Sequence, residues 1–125
     1  MSELVAVQGL TLQPTGIVTV PGTITITSVP STVLILSGSG VYTASLNFTV
    51  TGASATGYDP GSVTTVGTAS IPATAVKALS GGSAVMRQGD SNPAVAMTGT
   101  VSGTPTPFTE PWEISIAGQT KVSAN

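Results

Sequence analysis

From Tyr42 to Val50 the chain alternates strictly: Ala44, Leu46, Phe48 and Val50 share one face, and Thr43, Ser45, Asn47 and Thr49 the other. A period of two residues belongs to an extended strand with one face buried and one solvated. Thr23 to Thr27 repeats the pattern as Thr-Ile-Thr-Ile-Thr, and such β-branched side chains fit a pleated surface while losing χ1 freedom in a helix. Gly 15 and Pro 9 interrupt the 125 residues too often for a helical bundle. The chain is long enough for one domain, 1-125, with one core.

The same reading extends to further short strands. Gly16 to Val20 is closed by the turn pair Pro21-Gly22, and Thr32 to Leu36, apolar on both faces, predicts a central or partner-covered strand. Thr51 to Gly61 is turn-rich and predicts a loop between two halves. Val63 to Ile71 predicts one strand, and Ala75 to Leu79 with Ser83 to Gln88 a hairpin around Ser80-Gly81-Gly82. The run from Gly89 to Pro93 ends it, before a strand over Ala94 to Val101. Ser102 to Pro107 reads as a loop, because its prolines donate no ladder hydrogen bond. Trp112 to Ile116 and Thr120 to Ser123 read as a closing hairpin. A short helix has room only in the Ala-rich stretch from Ala69 to Leu79, against Pro72 and Thr74. No long internal repeat stands out, although Thr-Val and Ser-Gly units recur. The expectation is an all-β unit of many short strands: a sandwich, a roll or a spike-like form.

The residues that carry most chemistry are missing. The chain has no histidine and no cysteine, which removes Cys/His zinc sites, haem and iron–sulfur ligation, disulfides and the imidazole base. Glu110 and Glu113 flank Pro111-Trp112 as a carboxylate pair, but strand alternation turns Glu113 away from Trp112 towards solvent. Neither Lys77 nor Lys121 stands in a Ser-x-x-Lys spacing, and Gly38-Ser39-Gly40 lacks a third phosphate-cradling glycine. Asp90 and Asn92 offer oxygens to calcium without the remaining ligands of a binding loop, so Asp90 reads as a turn former. Asn47-Phe48-Thr49 matches a glycosylation sequon inside a strand, as chance would give. The expectation is no catalytic residue, no cofactor and no metal, and hence no enzyme.

Charge narrows the partners. Five acids face Lys77, Arg87 and Lys121, too few cations to neutralise a phosphate backbone, so nucleic acid is not expected. Mean hydropathy is +0.41, yet the longest aliphatic run, Val33 to Leu36, is far short of a bilayer span, and the first residues lack a signal-peptide pattern. The chain is expected in the cytoplasm when made, with no stable membrane insertion. Only 6% of residues are charged, whereas a free small protein covers its exterior with Lys, Glu, Asp and Arg. Outward positions filled with Thr and Ser point to lasting contact with other subunits. Met86, Met97, Phe108 and Trp112 are the candidate interface anchors, with ordinary core packing as the competing reading of each.

One stretch carries a family pattern. Val76, Gly81 or Gly82, Val85, Gly89 and Asp90 follow the residue order of the form x-Val-x-x-Gly-x-x-Val-x-x-Gly-Asp, with longer gaps before the first glycine and before Gly89. With the ending Ile114 to Val122, the chain from about Val63 to Val122 resembles the PAAR-like proteins that sharpen the spike of contractile phage tails and type VI-like injection systems. The resemblance implies a cone-like all-β tip on a trimeric spike protein, VgrG-like or of the phage-tail type. Its role would be mechanical: aiding membrane puncture, sealing the spike's strand edges and, in some members, carrying effector cargo. It also implies assembly at the tip of an injection or tail particle and delivery outside the cell. Family members hold a metal near the apex with three histidines and a cysteine, and this chain has neither residue type. Pro72-Ala73-Thr74-Ala75 echoes the Pro-Ala-Ala-Arg motif without its arginine. At 125 residues the chain is expected to carry no fused toxin domain. The alternative expectation is a decoration or adhesive β-sandwich module of a phage or cell surface.

Overall fold

The computed structural model describes residues 3–32, 35–36, 38–75, 79–80, 83–119 and 123–124, and those residues are all-β, without a helix. The first third holds β1 (Glu3–Leu4), β2 (Thr11–Pro14), β3 (Val18–Val20) and β4 (Thr23–Ile26). The middle third holds β5 (Ile35–Leu36), β6 (Ser39–Gly40), β7 (Ser45–Thr51), β8 (Ser54–Ala55), β9 (Thr64–Thr65) and β10 (Ala69–Pro72). The last third holds β11 (Leu79–Ser80), β12 (Ser83–Ala84), β13 (Ser91–Val101), β14 (Thr104–Ile116) and β15 (Ser123–Ala124).

Two sheets wrap one core. The order β10-β7-β4 makes a three-stranded sheet and β2-β14-β13-β9 a four-stranded one, with all pairs antiparallel. Their inner faces follow the alternation in the sequence: Leu46, Phe48 and Val50 from β7 are fully buried. Phe48 meets Trp112 of β14 with ring centroids 5.6 Å apart, a tilted contact favoured by the aromatic quadrupoles. The indole N–H of Trp112 donates to the Met97 sulfur at 3.3 Å, which gives a buried donor its partner without a polar side chain.

Several sequence expectations change in the fold. The segment from Ser102 to Pro107 is mostly strand, not loop. Ser102 and Gly103, at φ 50° and 81°, form a two-residue turn, and Thr104 opens β14 opposite Val101. In such a hairpin the pair next to the turn is hydrogen-bonded, so Thr100/Pro105 and Thr98/Pro107 fall at non-bonded sites. Each proline ring then sits on the outer side of β14, where β2 pairs only with Trp112 to Ile116. The expected closing hairpin is likewise replaced: β14 lies between β13 and β2, whereas β15 pairs with β1. Thr120 to Val122 fall outside the described residues.

The strand expected over Val63 to Ile71 breaks at Gly67 (φ 68°) into β9 and β10. Pro93 lies inside β13 because the register shifts between Asn92 and Val95, and a bulge tolerates a missing donor. Ala44 does not continue β7, since its φ of 67° turns the chain before Ser45. Thr51 to Gly61 contains β8 and buries Ala53 and Ala55, so it belongs to the core of the middle third and does not divide two halves. The hairpin around Ser80 is present as β11 against β12, while Val76 to Ala78 and the Gly81-Gly82 turn lie outside the described residues. Val33 and Leu34 do so too, and Ile35 is exposed while Leu36 is half-buried.

Candidate functional site

Three short segments, Val5-Ala6-Val7, Val41-Tyr42-Thr43 and Val85-Met86-Arg87, form the most regular feature of the molecule. Each follows one strand of a two-stranded pair: β1 paired with β15, β6 with β5, and β12 with β11. The three segments bond in a closed cycle. Ala6 N–H donates to the Met86 carbonyl at 2.8 Å, Met86 N–H to Tyr42 at 2.8 Å, and Tyr42 N–H to Ala6 at 3.2 Å. A second cycle surrounds it: Gln8 N–H donates to Gly40, Ala44 to Ala84 and Gln88 to Leu4, at 2.9, 2.7 and 2.7 Å. The bridges repeat the rule, the last residue of each segment opposing the first of the next, Val7 with Val41, Thr43 with Val85 and Arg87 with Val5. One chain thus builds a ring with threefold bonding connectivity.

Strand alternation gives the ring two faces. Ala6, Tyr42 and Met86 point into the main core. Val5, Val7, Val41 and Val85 join Ala75 in a second small cluster beside the three strand pairs, with Leu36 and Ala84 against it. The excursions between ring segments, β2 to β4, β7 to β10 and β13 to β14, continue the cycle: the first strand of an excursion meets the last strand of the one before it, β7 on β4 and β2 on β14. β13 meets β10 through Asn92, whose side-chain N–H donates to the Ser70 carbonyl at 2.8 Å.

The threefold order was expected neither from periodicity nor from composition, because backbone bonds carry it and the side chains differ. A trace does exist. Val5-Ala6-Val7-Gln8-Gly9 parallels Val85-Met86-Arg87-Gln88-Gly89, and both end in a turn whose glycine has φ near 95°, at 98° and 93°. In the middle third the chain turns one ring position earlier, at Ala44, which hides the repeat. Val85, Gly89 and Asp90 of the PAAR-like pattern fall on the third ring segment and its turn; Val76, Gly81 and Gly82 lie outside the described residues.

The four anchor candidates are placed mainly in the interior. Met86, Met97 and Trp112 are fully buried in the chain's own core, which leaves them no surface for a partner. Their size decided this: the sheets enclose few large side chains, and these fill the space between them. Phe108 alone keeps some exposure, stacked on Tyr58 with centroids 4.6 Å apart. Among the described residues the large apolar side chains that are exposed are instead Ile17, Val20, Val29, Ile35, Val66, Val101 and Ile116, distributed over several elements.

The polar candidates are structural. Glu110 is buried, and its carboxylate accepts the N–H groups of Gly16, Ile17 and Val18 at 2.9, 3.0 and 3.1 Å. Glu113 lies on the opposite face of β14, partly exposed, so the two carboxylates do not converge. Asp90 accepts Arg87 N–H at 2.8 Å and the Thr74 hydroxyl, and the Arg87 side chain donates to Thr74 at 2.7 Å. This network ties the third ring segment to the chain before β11, with Asp90 in the turn that the sequence predicts for it. Asn47, in the sequon, is half-buried within β7. Among the described residues there is no group of three potential His, Cys, Asp or Glu ligands and no pocket of ligand size; Lys77 and Lys121 lie outside them.

Comparison with protein-family models, with curated proteins and with solved structures gives no match. The functional reading therefore rests on the ring and on the surface chemistry.

Proposed function

We propose that the protein is a non-enzymatic structural tip that caps a trimeric spike protein of a contractile injection system or phage tail and aids membrane puncture. The observation that carries this reading is the ring: a single chain whose three segments close two backbone cycles offers a threefold partner three similar contacts at once. A charge content of 6% supports it, since surfaces meant for permanent contact are depleted of charge. The resemblance of Val63 to Val122 to PAAR-like tips points the same way, and the cone-like form belongs to this proposal. With no histidine or cysteine, the tip would be held by packing and backbone bonds in place of an apical metal.

In this reading the protein is made in the cytoplasm, assembled at the tip of the particle and delivered outside the cell, with effector cargo as an optional passenger. The test is native mass spectrometry of the full chain mixed with the trimeric spike protein of the same particle. One copy per trimer is the expected result. A chain that stays free beside the trimer overturns the proposal, and self-trimers or binding to a capsid lattice favour the decoration module instead.

A further inference from the structure

The three parts of the ring are bonded alike but not secured alike. Two of its strand pairs, β5 with β6 and β11 with β12, join strands only two residues apart in sequence. The third, β1 with β15, brings Leu4 against Ser123 across nearly the whole chain, so its closure carries a far larger entropic cost. The residues that plug the main core below the ring are Ala6, Tyr42 and Met86. Ala6 buries much the least apolar area on the core side, so the first segment is held there least and relies on Val5 and Val7 in the second cluster and on its hydrogen bonds.

The first segment has a polar fastening in addition. Ala117-Gly118-Gln119 crosses it as a strap: Val7 N–H donates to the Ala117 carbonyl at 2.9 Å, and the Gln119 side chain donates to the Val5 carbonyl at 2.8 Å. Gln88 holds the strap from the other side by accepting Ala117 N–H at 3.2 Å. Gly118 has φ 90°, and a side chain there would meet the Leu10 nitrogen at 3.0 Å, so strap and segment are fitted closely. A fastening of a few hydrogen bonds is worth much less than a buried aromatic or methionine side chain.

We infer that the ring is a strap-latched device that opens at one place only: Glu3 to Gln8 leaves as a unit while the other two thirds stay closed. The geometry then dictates which amides lose protection. Departure of this unit frees the N–H groups of Ala6, Val7, Gln8, Tyr42 and Gln88, whose bonds join it to the rest of the ring and to the strap. Met86 and Ala44 keep theirs, because their acceptors, Tyr42 and Ala84, remain in place. Opening at the middle segment would give another pattern, freeing Tyr42, Ala44, Met86 and Gln8 and sparing Ala6 and Gln88.

Residue-resolved hydrogen exchange on the full chain by NMR reads this directly. In the wild type the five amides are expected to exchange together, about tenfold or more faster than Met86 and Ala44. Gln119→Ala should accelerate only those five. Because the chain contains no cysteine, pairing Glu3→Cys with Ala124→Cys, register partners in β1 and β15, gives a defined cross-link that should slow the same five and leave the other two unchanged. The inference is overturned if all seven amides exchange at one rate, if Met86 and Ala44 join the fast set, or if the cross-link changes none of them. The cross-link arm stands even if Gln119→Ala weakens the whole fold.

Discussion

Glu110 shows how one residue's chemistry is decided by its neighbours. A carboxylate beside a tryptophan suggests an acid catalyst, but here three successive N–H groups occupy it and bend the chain after β2. Gly16 belongs to the same arrangement, since a Cβ there would stand 2.5 Å from a Glu110 oxygen. Glu110→Gln replaces one acceptor oxygen with a donor facing N–H groups, and should cost about 2–4 kcal/mol in urea unfolding. Asp59 is the exposed counterpart. The Gly103 N–H, then the Thr100 hydroxyl and the Ser102 N–H, hold its carboxyl below its ordinary value. A depressed carboxylate stabilises the native state above the unfolded pKa, and that contribution is lost as pH falls through the folded one. Acidification below the ordinary carboxylate range should therefore release the β13–β14 turn first, seen as faster exchange at Ser102 and Gly103, and Asp59→Asn should show that release at neutral pH.

At the scale of elements, backbone sign and strand edge matter more than propensity. Ala44 turns the chain at φ 67°, one ring position before the bends that Gly9 and Gly89 carry in the other two thirds, a conformation costing a non-glycine residue about 1–2 kcal/mol. Ala44→Gly is expected to raise stability by about 0.5–1 kcal/mol after the entropy of the added freedom is subtracted, read as an increase in Tm. Pro105 and Pro107 sit at the non-bonded sites of β14, on the edge that β2 leaves open. Proline there removes donors that another strand would pair with. Replacing both with Thr should leave the monomer folded but cause concentration-dependent association, visible in sedimentation velocity.

The whole molecule has three similar thirds and one shared core. Phe48 and Trp112 meet from the middle and last thirds, and Leu10 and Leu12 of the first third belong to the same cluster. No third can bury its apolar face alone, so the ring and both sheets should melt together under denaturant apart from the local opening of the first segment. Trp112→Ala should lower stability by about 3–5 kcal/mol in one cooperative transition. If Trp112 served a partner instead, the isolated chain would hardly notice its loss.

What the residues determined by themselves was local. Period-two alternation gave β4 and β7 and their buried faces, Ser80-Gly81-Gly82 pointed to the β11–β12 hairpin, and the lack of histidine and cysteine bounded the chemistry, because each depends on residues close in sequence or on composition. Tertiary structure decided the rest. Whether Pro105 lies in a loop or a strand depends on which edge is unpaired, and whether Met86 faces a partner or the core depends on how two sheets close. The threefold ring joins residues dozens of positions apart through backbone N–H and C=O groups that every residue type carries, so side-chain identity records almost none of it.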